Sequence, residues 1–359
     1  MTTLTTRKPI DPTLPLNTVP DSHHNCRLCA HGCRRYDVLL TEQEARRLSL
    51  DWWRDLLEDV PADTPLVVLD AATGQYLLNK VDGRCVFLGS DNLCIIHKES
   101  GMQVKPTACQ FFPLQAVQTP MGQQLSLNVG CRRLIEMGKQ DAPLDTSEAR
   151  RLLNEVQAVA TIGETVPLTP DQDINFEELR GLCGQFSGMF TANPDLPFAE
   201  KLRQAAQFLL QLPGASPAAD ARAIYQEMLR LIQNAPQVRQ TLTKTYVDAT
   251  NILPQVIATP DTFPEVSADF VRYLVEVTRQ HVFGYQFALH RTVRTGLTAL
   301  LAALVYALRS GRTTSAHEFN ETLSSGIDLF FSPIGALALT EPAQQAFLMA
   351  LAISTIGTN

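Results

Sequence analysis

The chain of 359 residues is 45 % apolar, with a net charge of −7 and a pI near 5.5. That length and composition suit two domains, each with its own core, and exclude extended disorder beyond the ends. The acidic balance argues against nucleic acid as a partner; residues 23–135 hold 12 Lys/Arg against 12 Asp/Glu, so no local basic patch hides beneath the total.

Residues 1–22 are rich in Thr and Pro and lack an apolar stretch, so they read as a disordered tail, neither secretion signal nor membrane anchor. A cytoplasmic location is expected, and there clustered cysteines favour metal over disulfide. Seven of the eight cysteines fall in the next segment, 23–135, spaced Cys26-x2-Cys29-x3-Cys33 and then Cys85-x8-Cys94-x14-Cys109-x21-Cys131. Three thiols within eight residues can converge on one centre, with later cysteines completing its shell. All seven are therefore candidate metal ligands. Thiolates are soft and anionic, which suits zinc, copper(I) or an iron–sulfur cluster and disfavours magnesium or calcium. Seven exceeds the four that one zinc ion or one cubane uses, leaving one centre or two open. His31 and His97 stand beside cysteines and carry imidazole donors, but histidines in polar stretches are more often solvated.

Gly32 lets the first cysteine run bend tightly. Thr41-Glu42-Gln43-Glu44 has the form of a capping box opening a helix through Ala45, Leu48, Trp52, Leu56 and Val60 to Pro61. Leu66 to Leu69 and Gln75 to Lys80 read as a hairpin turning at Gly74. A second hairpin, Cys85 to Leu88 and Leu93 to His97, would set Cys85 beside Cys94. Pro106 and Pro113 bracket and stiffen the approach of Cys109. A strand over Gln124 to Val129 leads to Cys131, where Arg132 and Arg133 would offset the charge of an anionic centre.

Residues 136–175 read as a helix from Thr146 or Ser147 through Val159, followed by a Pro-containing linker over Gly163 to Asp173. From Phe176 to the end the periodicity is helical, predicting an all-α bundle at 176–359. Cys183 lies on one of these helices and reads as core, and His281, His290 and His317 carry no ligand pattern. Thr295 to Leu308 is uncharged but too short for a membrane span, so no membrane partner is expected. The predicted fold class is α+β: a small Cys-rich domain of short hairpins and a helix, then a helical bundle.

The blocks Gly83-Arg84-Cys85-Val86-Phe87-Leu88, Leu93-Cys94-Ile95-Ile96-His97 and Lys105-Pro106-x2-Cys109-x-Phe111-Phe112-Pro113 resemble the YkgJ-like cysteine-cluster family of zinc- or iron-chelating proteins, whose pattern runs G-x-C-x-F-L, L-C-x-I-Y, R-P-x2-C-x-x-F-P. The resemblance covers about a third of the chain. It implies metal chelation by these cysteines with Cys26, Cys29, Cys33 and Cys131. Two departures stand out: the family's first group commonly ends in adjacent cysteines where this chain has Gly32-Cys33, and the Cys94 to Lys105 separation is longer, around Glu99 to Gln103. A cysteine region followed by a long helical one is also similar to the flagellin lysine N-methylase family. That similarity implies methyl transfer from S-adenosylmethionine to protein lysines with an iron–sulfur cluster, so that the helical domain would receive a protein substrate. No Gly-rich loop marks an ordinary nucleotide fold for that cofactor. The alternative from another class is a non-enzymatic zinc module in which metal stands in for core and the helices bind a protein partner.

Overall fold

The structure, a computed structural model, describes residues 6–8, 10–20, 22, 30–71, 74–128, 131, 143–155, 159–213, 268–290 and 292–310, with the single positions 323 and 348. In these residues it is a mixed α and β protein. In chain order the elements are β1 (Thr6–Lys8), β2 (Leu16–Thr18), α1 (His31–Arg35), β3 (Leu39–Leu40), α2 (Glu42–Leu48), a 3-10 turn (Asp51–Leu56), β4 (Val67–Asp70), β5 (Gln75–Leu78), β6 (Lys80–Val81), β7 (Arg84–Cys85), α3 (Ile95–Ser100), α4 (Thr107–Phe111), β8 (Leu114–Thr119), β9 (Gly122–Leu127), α5 (Thr146–Leu153), β10 (Val159–Thr161), β11 (Thr165–Thr169), β12 (Gln172–Asn175), α6 (Phe176–Thr191) and α7 (Phe198–Gln211). Then come α8 (Ala268–Phe283) and α9 (Val293–Ser310).

A five-stranded mixed sheet, in the order β1-β10-β8-β9-β2, is built around the β8–β9 hairpin. β2 lies parallel to β9 with Leu16 opposite Gln123, and β10 lies parallel to β8 with Ala160 opposite Val117. Gly122 makes the first of these pairings feasible. Its φ is +125°, and a Cβ there would stand 2.4 Å from the Pro15 carbonyl oxygen, so only glycine admits β2 this closely. Three expectations are corrected here. The segment expected as a disordered tail supplies β1 and β2, because their backbone groups complete the edges of a sheet made far downstream. The expected helix ends at Leu153, Val159 instead opens β10, and the expected linker holds the antiparallel pair β11–β12.

Residues 30–104 gather a separate small core of Leu40, Leu48, Trp53, Leu78, Val86, Phe87 and Ile96, with the rings of Trp53 and Phe87 edge to face at 5.4 Å. Antiparallel β3-β5-β4 flank it. The expected helix through Val60 breaks at Leu48: the Ser49 hydroxyl donates to the Ala45 carbonyl, the chain extends at Leu50, and the Trp53 indole N–H then reaches back to the Arg47 carbonyl at 3.2 Å. The break turns Trp53 fully inward while Trp52 stacks on it, 46 % exposed.

From Phe176 onward every described regular element is helical. Asn175 and Glu178 form a reciprocal capping box for α6, whose Phe176, Leu179, Cys183, Phe186 and Phe190 recur on one buried face. Its last turn is capped by buried Lys201, whose Nζ donates to the Phe190 carbonyl at 2.8 Å and places a cation at the negative helix end. α9 is buried along most of its length, as a helix apolar all round should be. Among the described residues no helix is long and apolar enough to cross a membrane. These helices share one core with Val117 and Leu127 of the sheet, so sheet and helices pack as a unit. A buried polar strap sets their register. Gln280 on α8 accepts from the Leu127 N–H at 2.9 Å and donates to Ser22 Oγ at 2.8 Å, while Gln286 donates to Ser126 Oγ and the Leu127 carbonyl.

Candidate metal centre

Cys33 sits in the middle of α1, which packs against β7. The left-handed residue that lets the chain enter this helix is Ala30, at φ +57°, and not Gly32 as expected. Gly32 serves contact instead: a Cβ there would meet the Phe112 ring at 3.1 Å, and the Tyr36 ring lies 5.4 Å from that of Phe112. This docks α1 on the residue that ends the Cys109 helix. A second cysteine at position 32, as the resemblance would have it, meets that ring.

Cys85 is placed by the short β6–β7 hairpin opposite Lys80, with Asp82 and Gly83 both at positive φ in its turn. That Asp-Gly pair is a strong hairpin signal in the sequence. Cys94 comes beside Leu88 through a bridge, held by the Ile95 N–H to the Phe87 carbonyl at 2.8 Å and the Gly89 N–H to the Leu93 carbonyl at 2.9 Å. The turn back was expected, but the second strand is not formed. Ile95 to Ser100 coil into α3, after Asp91 accepts from the Leu93 N–H and pairs with Lys98. Arg34 donates to Asn92 Oδ1 at 2.5 Å, tying α1 to this same turn.

Cys109 lies in α4, a five-residue helix, with its N–H bonded to the Pro106 carbonyl at 2.8 Å. Glu44 of α2 reaches this helix, accepting from both the N–H and the hydroxyl of Thr107. Burial pushes the Glu44 carboxyl upward, but the hydrogen bonds from Thr107 and Thr41 outweigh it and hold the group below its usual range. In sequence Glu44 is legible only as a helix cap.

Cys33, Cys85 and Cys94 pack in one small core, and Cys85, Cys94 and Cys109 are free thiols. Burial pushes the Cys85 thiol up to about 12; the Phe87 N–H opposes this, while Cys33 and Cys94 push further and Lys80 opposes. Burial likewise raises the Cys109 thiol, with Cys85, Cys33 and Cys94 adding to the rise and Lys105 opposing it. Thiols from four segments thus lie near enough that Cys33 and Cys94 act on Cys85, and all three on Cys109. Cys131 is buried, its N–H on the Asn128 carbonyl; the Asn128 N–H in turn bonds to the Pro113 carbonyl at 2.6 Å, which brings the end of β9 to the segment following Cys109.

Cys26 and Cys29 lie outside the described residues, as do Arg132, Arg133 and His317. His31 is half-buried on α1, and His97 is exposed on α3. Cys183 is raised by burial alone and belongs to the core of the helical part. Among the described residues no group of three or more His, Cys, Asp or Glu side chains is arranged to hold a metal ion. The donor chemistry nevertheless fits one. Desolvated thiols that repel each other as anions are held protonated until a soft cation offsets the charge, and such a cation would deprotonate them. No protein-family model, curated protein or solved structure matches this chain.

Proposed function

We propose that this protein binds a thiolate-ligated metal centre, zinc or iron–sulfur, as a member of the YkgJ-like cysteine-cluster class. The observation that carries the reading is that Cys33, Cys85 and Cys94 pack in one small core, near enough that Cys33 and Cys94 raise the Cys85 thiol and all three raise that of Cys109. Cys26 and Cys29, just upstream of α1, and Cys131 would complete the donor set. A metal there removes the electrostatic cost of the cluster and adds a cross-link to a small core, as thiolate metal sites in small domains do.

The test is direct. Protein purified without oxygen is analysed for metal and by absorption: a brown protein absorbing broadly near ~400 nm identifies an iron–sulfur centre, and a colourless one with stoichiometric zinc a zinc site. Cys85→Ser and Cys94→Ser should each lower metal content, and full content in both removes them from the site. The finer reading extends the iron–sulfur form to lysine methylation with S-adenosylmethionine, the helices receiving the protein substrate. It rests on the resemblance to flagellin lysine N-methylases. Absence of S-adenosylmethionine binding by calorimetry in the brown protein ends that extension while leaving the metal centre standing.

A further inference from the structure

We propose that Glu44 is a positioning residue for Cys109, a carboxylate latch that holds the start of α4 against α2. This rests on Cys109 being a metal ligand, as argued above. A reciprocal capping box uses one carboxylate oxygen, and here Oε2 fills that role by accepting from the Thr41 N–H at 2.8 Å. The other oxygen, Oε1, is turned to a different element, accepting from the Thr107 N–H at 2.7 Å and its hydroxyl at 3.0 Å. The chain holds its own comparison. In the capping box of α6, Glu178 bonds to the Asn175 N–H at an exposed helix start. Glu44, by contrast, is only 8 % exposed.

The latch matters because α4 has little to hold itself. Five residues are too few for a stable helix, and Pro106 at its N-cap position gives no side-chain acceptor for the first N–H groups. Glu44 supplies that acceptor from outside. One turn further along α2, Arg47 donates to the Val104 carbonyl at 2.9 Å, so a single helix face grips both sides of Lys105-Pro106. Cys109 follows two residues after the gripped Thr107. Residues that orient a ligand from behind cost about 10- to 100-fold in metal affinity when lost.

The experiment compares the full chain with Glu44→Ala, Thr107→Pro and Thr41→Ala. Thr41→Ala removes the cap hydroxyl and leaves the Glu44 to Thr107 bonds in place. Two readouts are taken: the rate at which iodoacetamide alkylates Cys109 in metal-free protein, resolved from Cys85 by mass spectrometry, and the affinity for Co²⁺ by chelator competition. In Glu44→Ala, Cys109 should react about tenfold faster with Cys85 unchanged, as local opening of α4 requires. Co²⁺ affinity should fall about 10- to 100-fold. Thr41→Ala should match the wild type in both readouts whatever its Tm. A wild-type Cys109 rate in Glu44→Ala, or the same rise in Thr41→Ala, overturns the latch. Should Glu44→Ala not fold, Thr107→Pro decides, since proline suits the first helical position and removes both donors to Glu44: a faster Cys109 supports the latch and a wild-type rate overturns it. A wild-type chain that binds no Co²⁺ while Glu44→Ala still exposes Cys109 overturns the metal reading and leaves the latch as a structural clasp.

Discussion

The titratable side chains of the core divide by what surrounds them. The Cys85 and Cys109 thiols are raised by burial and by neighbouring thiols, whereas the two buried histidines of the helical part are lowered. Burial, with His290 nearby, takes His281 down to about 3 against a pull the other way from Gln286; burial alone takes His290 to about 4. In the unfolded chain both rings titrate near ~6.5, so below that value the unfolded state takes up protons that the folded state refuses. Stability contributed by the neutral rings is therefore full above about 6.5 and is lost as pH falls toward about 4, by on the order of 1 kcal/mol per pH unit for each ring. Urea midpoints measured from pH 7 to pH 5 should fall, and the fall should lessen in His281→Phe. A midpoint independent of pH over that range would show that the rings take up protons in the folded state.

Among the elements, α8 is joined to β9 by side-chain amides as well as apolar contact. Gln280 answers the Leu127 N–H, a backbone donor on the sheet that α8 covers, and its amide reaches Ser22 and Glu276 as well. A fully satisfied buried network of this kind specifies one seating of helix on strand. Gln280→Ala leaves the Leu127 N–H without its acceptor, and a loss of about 1–3 kcal/mol in unfolding free energy is expected by urea titration. Gln280→Glu keeps an acceptor but buries a charge, and should cost at least as much. At this scale the chain was partly readable. The capping box at Thr41 and Glu44 and the β4–β5 hairpin at Gly74 stand where local pattern puts them, since both depend on residues a few positions apart. The run Leu93 to His97 looked like a strand because it is β-branched and apolar. The Asp91 turn and its pairing with Lys98 instead start a helix there, and propensity gives way to context.

Among the described residues three cores of unequal size coexist: a small one carrying Cys33, Cys85 and Cys94, a large one shared by the sheet and the helices, and a minor one of Leu125, Ala149, Leu153 and Val159 between the sheet and α5. If a metal braces the small core, its removal should be felt there first. Treatment with a chelator is expected to speed amide exchange over residues 30–111 while α6, α7 and α9 keep their protection. Equal loss in both regions would show that the cores unfold as one. The thiol donors of the proposed centre and the helical period of the described elements after Phe176 were legible in sequence alone, because thiol type, close spacing and a 3.6-residue period are properties of near neighbours. What the tertiary structure decided was everything that joins distant segments: β1 and β2 completing a sheet whose centre lies far downstream, the second oxygen of Glu44 reaching Thr107, and Phe112 pressing on Gly32. Strands of three residues carry too little pattern to announce a partner, and a carboxylate's second bond depends on which element folds beside it.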